Sequence, residues 1–166
     1  MPSISMMTEP SRGCSDMTLR QSLQTACAAD TELCGRQLAE RMLADASLPP
    51  FVALYGDLGV GKTAFVRGFT SALCPNAKVK SPTFSLVHEY SAFGRSVFHF
   101  DMYRIESEDD LYSIGFFDYW NRDGICLVEW SEHIPYALPD RYVRVELIKD
   151  SDTNPDSRRI TLTLVG

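Results

Sequence analysis

Apolar residues in this chain come in short runs of two different periods, separated by polar, turn-forming stretches. The segment TLRQSLQT sets Leu19 and Leu23 among polar neighbours, the pattern of an exposed or edge strand. In DTELCGRQLAERMLADA, Leu33, Leu38, Ala39 and Leu43 recur near helical spacing, and Asp30 or Thr31 is placed to cap that helix. Pro49 and Pro50 stop it and lead into Phe51–Tyr55, a short apolar run of the kind that fills a central buried strand. TAFVRGFTSAL then reads as a second helix.

Downstream, KSPTFSLVHEY is a loop running into a strand. SAFGRS is a turn and SVFHFD a returning strand, so the two strands predict a hairpin. SEDDLYSIG predicts a short helix with an acidic start. ICLVEW is another buried strand. VRVELI and RITLTLV are alternating strands joined by the turn-rich DSDTNPDS. Together these elements predict an α/β protein with a mixed β-sheet, parallel at its centre with antiparallel additions and flanked by helices; the loop pattern after the central strand makes that sheet P-loop NTPase-like.

Between the central strand and the second helix lies GDLGVGKT. Gly56, Gly61, Lys62 and Thr63 complete the phosphate-loop pattern G-x-x-x-x-G-K-[ST] without a gap. Glycines let the backbone curl so that its N–H groups converge on phosphate oxygens, and the following helix offers the positive end of its dipole. Lys62 can then reach the β- and γ-phosphates, and the Thr63 hydroxyl can ligate Mg²⁺. The nucleotide-holding set is therefore Asp57, Leu58, Gly59, Val60, Gly61, Lys62, Thr63 and Ala64. Asp57 is an unexpected member: a carboxylate repels phosphate, so its side chain is expected to turn toward the sugar or solvent.

Hydrolysis needs an acidic site beside the loop. Asp101 closes the apolar strand VFHFD and Glu129 closes ICLVE. Ligands of open α/β sheets collect at the carboxyl ends of the strands, which brings both acids toward the phosphate loop. One such acid alone reads as a cap or a solvated strand end. Two, in a chain with an intact loop, read as the acidic pair of hydrolysis: Asp101 is expected to hold Mg²⁺ through water and Glu129 to help hold the metal or polarise the attacking water, with Lys62 as the third catalytic group. Trp130 is either core packing or a wall beside the nucleotide. His88, His99 and His133 have no metal-site spacing, and His99 is expected to pack or hydrogen-bond within the sheet.

Composition narrows the picture. The chain has 166 residues, suiting one domain over 17–166 after a polar tail at 1–16 without the apolar core of a secretory signal. Sixteen Lys and Arg against 22 Asp and Glu, a net charge of -6, disfavour a domain that grips nucleic acid through many phosphates by itself. No run approaches membrane-span length. Five scattered cysteines without a CxxC pair read as reduced thiols in a cytosol.

The set GDLGVGKTAFVRGF, SPTFSLVHEY, HFDMYRI, GFFDYW and LVEW, in that order, resembles the TsaE (also called YjeE) family from about Leu19 to the end. The combination of SPTF, HFDxYR and EW in one small domain is far more specific than the phosphate loop. The resemblance implies a cytoplasmic ATPase using ATP and Mg²⁺, required for threonylcarbamoylation of adenosine 37 in tRNAs that read ANN codons. It implies docking on a TsaB–TsaD complex, where TsaD uses the threonylcarbamoyl-adenylate made by TsaC or a related enzyme, and resetting of that complex for repeated turnover. Contact with tRNA would be indirect, through the complex; neither DNA nor a membrane is an expected partner, and the chain alone is expected to be a monomer. By position, Lys62 and Thr63 are the phosphate and Mg²⁺ residues, Asp101 and Glu129 the acids, Thr83 a switch-loop residue, and Trp130 the neighbour of the nucleotide. Met102 and Val60 replace the usual Leu and Ala, both apolar exchanges. Rival readings are a small nucleotide or metabolite kinase, against which the chain has no obvious arginine-bearing lid, and a nucleotide-gated binding module with little hydrolysis.

Overall fold

A computed structural model of the chain describes residues 20–152 and 154–166. The tail expected over residues 1–16, and Leu19 in the first strand pattern, lie outside the described residues. In chain order the elements are β1 (Arg20–Thr25), α1 (Ala28–Ala44), β2 (Phe51–Tyr55), α2 (Lys62–Leu73), β3 (Val87–Ala92), β4 (Arg95–Asp101), α3 (Glu108–Ser113), β5 (Ile125–Glu129), β6 (Tyr142–Lys149) and β7 (Arg158–Val165). Turns of 3-10 helix cover Phe116–Asn121, Ser131–His133 and Pro135–Ala137.

The strands form one seven-stranded sheet in the order β1-β7-β6-β2-β5-β4-β3. β2 is central and pairs in parallel with β5 and β6, and β4 pairs in parallel with β5. The antiparallel pairs are β1 with β7, β6 with β7, and the β3–β4 hairpin. This is the mixed α/β sheet the hydrophobic periods predict, with the tight β3–β4 turn at Phe93 and Gly94, both at positive φ.

Strand alternation splits the core between the two faces of the sheet. Val52 and Leu54 of β2, with Val97 and Leu127, pack under α1 and α2. Phe51 and Ala53, with Phe98, Phe100 and Val128, pack against α3 and the turns after it. On that second face Phe116 meets Phe51 and Phe100 edge-on, with ring centroids 6.3 and 5.1 Å apart. The sequence pattern carries no period for this short 3-10 segment; its aromatic residues serve the layer beneath rather than an amphipathic helix.

α1 departs from its expected register. Cys27, not Asp30 or Thr31, is the N-cap; Asp30 lies in the first turn and its Oδ2 accepts the Ala26 N–H at 2.9 Å. Leu33 and Leu43 are exposed, and the buried stripe is Thr31, Cys34, Gly35, Leu38, Ala39 and Met42. The cause is close helix contact. A Cβ on Gly35 would stand 2.1 Å from the Phe65 carbonyl oxygen, and one on Gly68 would stand 1.8 Å from that of Glu32. Backbones this near admit small residues at the seam, so the leucines flank it.

Candidate functional site

The phosphate loop leaves β2 at its carboxyl end. Gly56, Gly59 and Gly61 have φ of +136°, +74° and +101°, values that side chains with a Cβ rarely adopt. At Gly56 space is lacking too, since a Cβ there would lie 2.3 Å from the Leu147 carbonyl oxygen of β6. Gly61 caps α2, so the loop ends at a helix N-terminus, with Lys62 and Thr63 as its first residues.

Lys62 is buried and folded back on the loop: Nζ donates to the carbonyl oxygens of Gly56 and, at 3.0 Å, Asp57. Its ammonium lies 3.8 Å from the centre of the Trp130 ring. Burial pushes its pKa down, against the opposing pull of Glu129, Glu132, Asp101 and Asp57. Trp130 is half-buried at φ +60°, a left-handed residue that redirects the chain from β5 into the 131–133 turn and brings the indole over Lys62. The Ser131 hydroxyl braces this corner, donating to the Val128 carbonyl oxygen at 2.8 Å.

The two acids are side by side. Asp101 and Glu129 end adjacent parallel strands as register partners and are only 2% and 3% exposed. Glu129 Oε1 lies 2.9 Å from Thr63 Oγ1 and 2.8 Å from His99 Nε2. Asp101 faces the SPTF loop: Oδ2 accepts from Thr83 at 2.8 Å and Ser81 at 3.2 Å, while Oδ1 accepts the Tyr103 N–H at 2.9 Å.

These groups line one cleft of about 420 Å³, with Leu58, Gly59 and Gly61 on one side and Thr83 and Tyr103 on the other. Lys62, Thr63, Asp101, Glu129 and Trp130 all reach it. Asp57 and Val60 instead line a cavity of about 570 Å³ on the β6 side, beside Glu132, Arg144 and Lys149; Leu58 borders both, and Ala64 borders neither. Asp57 is exposed and lines the β6-side cavity rather than the cleft.

Sequence reasoning did not single out Ser81, Tyr103 or Arg158. Ser81 and Tyr103 sit two residues from Thr83 and Asp101, a proximity signal that was available. Arg158 carries no such signal: from β7 its guanidinium donates to the carbonyl oxygens of Val60 at 2.8 Å and Gly59 at 3.3 Å, tying the loop's outer side.

The residues suit a hard divalent cation. Mg²⁺ takes one or two carboxylates plus phosphate and water oxygens. A hydroxyl and two buried carboxylates meet here, while groups of three or more His, Cys, Asp or Glu side chains placed to hold a metal ion are absent among the described residues.

A parallel-centred sheet with a phosphate-loop sequence at the end of its middle strand, and acids ending the next two strands, defines a P-loop α/β protein. The family described as "Threonylcarbamoyl adenosine biosynthesis protein TsaE" matches residues 25–160, and the chain belongs to that family. It is 42% identical over 111 residues to the tRNA threonylcarbamoyladenosine biosynthesis protein TsaE of Haemophilus influenzae, covering 67% of this chain and 68% of that one. The Bacillus subtilis protein of the same description is 38% identical over 115 residues, covering 69% and 70%. The crystal structure of Bacillus subtilis YdiB superposes with a TM-score of 0.66 at 29% identity, over 92% of this chain and 90% of that one.

Proposed function

We propose that this chain is a Mg²⁺-dependent ATPase of tRNA threonylcarbamoyladenosine formation, acting in the cytoplasm on a TsaB–TsaD complex to support its turnover at adenosine 37. Membership of the TsaE family supports the pathway. The observation that carries the activity is the meeting of Lys62, Thr63, Asp101 and Glu129 in one cleft at the phosphate loop.

In this reading the loop N–H groups and the α2 N-terminus take the phosphates, and the Lys62 ammonium leaves the Gly56 and Asp57 carbonyls for the β- and γ-oxygens. A bound Mg²⁺, held by Thr63 with Glu129 or Asp101, would neutralise charge developing on the transferred phosphoryl group. Glu129 is already bonded to Thr63, which favours it, rather than the Asp101 expected from the sequence, as the acid nearest the cation. Asp101 is bonded to Ser81 and Thr83, which favours a part in reporting the state of the switch loop. Trp130 walls the cleft beside the nucleotide. The released energy does conformational work on the partner, and the net charge of -6 fits RNA being held by the complex.

The test is phosphate release from ATP by the chain alone, then with TsaB, TsaD and tRNA. Slow hydrolysis that rises at least about tenfold with partners, and falls about 10²-fold or more in Lys62→Ala and Glu129→Ala, supports the proposal. Partners without effect, together with ATP-dependent phosphorylation of a small molecule, would make the protein a kinase instead.

A further inference from the structure

We propose that His99 is a positioning residue for this site, holding the Glu129 carboxylate in one orientation from beneath the cleft. The inference rests on the ATPase reading above. β4 reads RSVFHFD, and its residues Val97, Phe98 and Phe100 are buried apolar side chains. His99 lies between them in the strand, on the same face as Val97, with 0% exposure. A polar ring in such a strand costs stability unless its nitrogens find partners. Nε2 does, at 2.8 Å from Glu129 Oε1; Nδ1 has no partner among the described residues. A histidine kept only to fill the interior would do better as an apolar side chain of similar volume. The contact with Glu129 is what distinguishes it from one.

Donor logic fixes the direction of that contact. An ionised Glu129 only accepts, so Nε2 carries the proton and donates, and the Thr63 hydroxyl donates to the same oxygen at 2.9 Å. Glu129 Oε2 is left without a hydrogen bond from any described side chain, on a carboxylate that lines the cleft. One donor comes from the sheet and the other from the first turn of α2, so the carboxylate is pinned from two elements. Thr63 is itself the candidate cation ligand. His99 is therefore the donor whose hold on Glu129 does not depend on what fills the cleft. Outer partners of this kind orient ligating carboxylates, and their loss costs about 10–100-fold in metal affinity or activity.

The test compares His99→Leu, which removes the donor, with His99→Gln, whose amide nitrogen can reach the Nε2 position. Three quantities are read on each: the gain in ATP affinity when Mg²⁺ is added, by calorimetry; kcat and KM with partners present; and Tm. For His99→Leu we expect Mg²⁺-free ATP affinity within about twofold of wild type, with the Mg²⁺-dependent gain and kcat both reduced about 10–100-fold. His99→Gln recovers most of both, and in a Glu129→Ala background His99→Leu has no further effect. Full retention of the Mg²⁺ gain and kcat in His99→Leu overturns the proposal, as does an unchanged penalty in the Glu129→Ala background. If His99→Leu does not fold, His99→Asn, one carbon too short to reach Glu129, takes its place against His99→Gln with the same expectations. A wild-type chain that hydrolyses no ATP with its partners would sink the ATPase reading, while the calorimetric Mg²⁺ gain would still decide the link between His99 and Glu129.

Discussion

Thr63 Oγ1 is the one hydroxyl of the phosphate loop and helix start that touches an acid of the cleft, 2.9 Å from Glu129. Thr63→Val keeps the shape and removes the oxygen. We expect it to fold normally and to bind ATP without Mg²⁺ about as well as wild type, while the Mg²⁺-dependent part of binding is lost; calorimetry with and without the metal separates the two. Lys62 is the opposite case. Its charge is buried at a cost, and burial holds its pKa below the ordinary lysine value. The unfolded chain therefore binds more protons than the folded one between the lowered pKa and about 10.5. Lys62 is thus destabilising at pH values below its folded pKa, and the penalty lifts as pH rises from there toward the unfolded value. Below its folded pKa the cation is carried against that penalty, which is what a residue meant for phosphate oxygens requires. The residue types were readable because the phosphate loop fixes them by chemistry. Arg158 was not, because its contact with the loop depends on where β7 falls in the sheet.

Among the elements, those with a clean period were read correctly: the central strand at Phe51–Tyr55, the 87–101 hairpin and the β6–β7 pair. The period is half right in α1: Leu38 and Ala39 are buried as it predicts, while Leu33 and Leu43 are exposed beside the glycine-mediated seam with α2. That seam locates the first turn of α2, and with it Lys62 and Thr63. Gly68→Ala must push the two helices apart, because its new methyl would lie 1.8 Å from the Glu32 carbonyl oxygen. We expect a destabilisation of about 2–3 kcal/mol, seen as a fall in Tm of about 5–10 °C, with a raised KM for ATP because the helix start moves. A lesser effect is expected at α3, where the Ser107 hydroxyl and the Asp110 carboxylate cap each other's backbone N–H groups. Ser107→Ala should cost about 1 kcal/mol and leave hydrolysis unchanged.

Across the fold, burial sorts the thiols of the described residues. Cys27 is exposed, whereas Cys34, Cys74 and Cys126 are buried, and burial raises the pKa of all three, that of Cys126 to about 12. At pH 8, peptide mapping after treatment with a thiol reagent should find Cys27 alkylated and these three protected, with denaturant exposing them together if the sheet opens as one unit. Ligand linkage gives a second global measure. Saturation with Mg²⁺ and ATP at about 100 times Kd should add about 2.7 kcal/mol to the stability of the wild-type fold and nothing to that of Lys62→Ala. Equal gains in both proteins would show that nucleotide binds elsewhere.

Asp101 and Glu129 are rungs of one ladder, matched by the backbone pairing of β4 with β5. Their spacing is therefore indifferent to the length of the stretch between them, which holds α3, the aromatic turn and the loops around it. Descendants of this chain can lengthen or shorten the loops of that stretch, provided its buried side chains keep their layer, and still hand down the same pair of acids at the same separation.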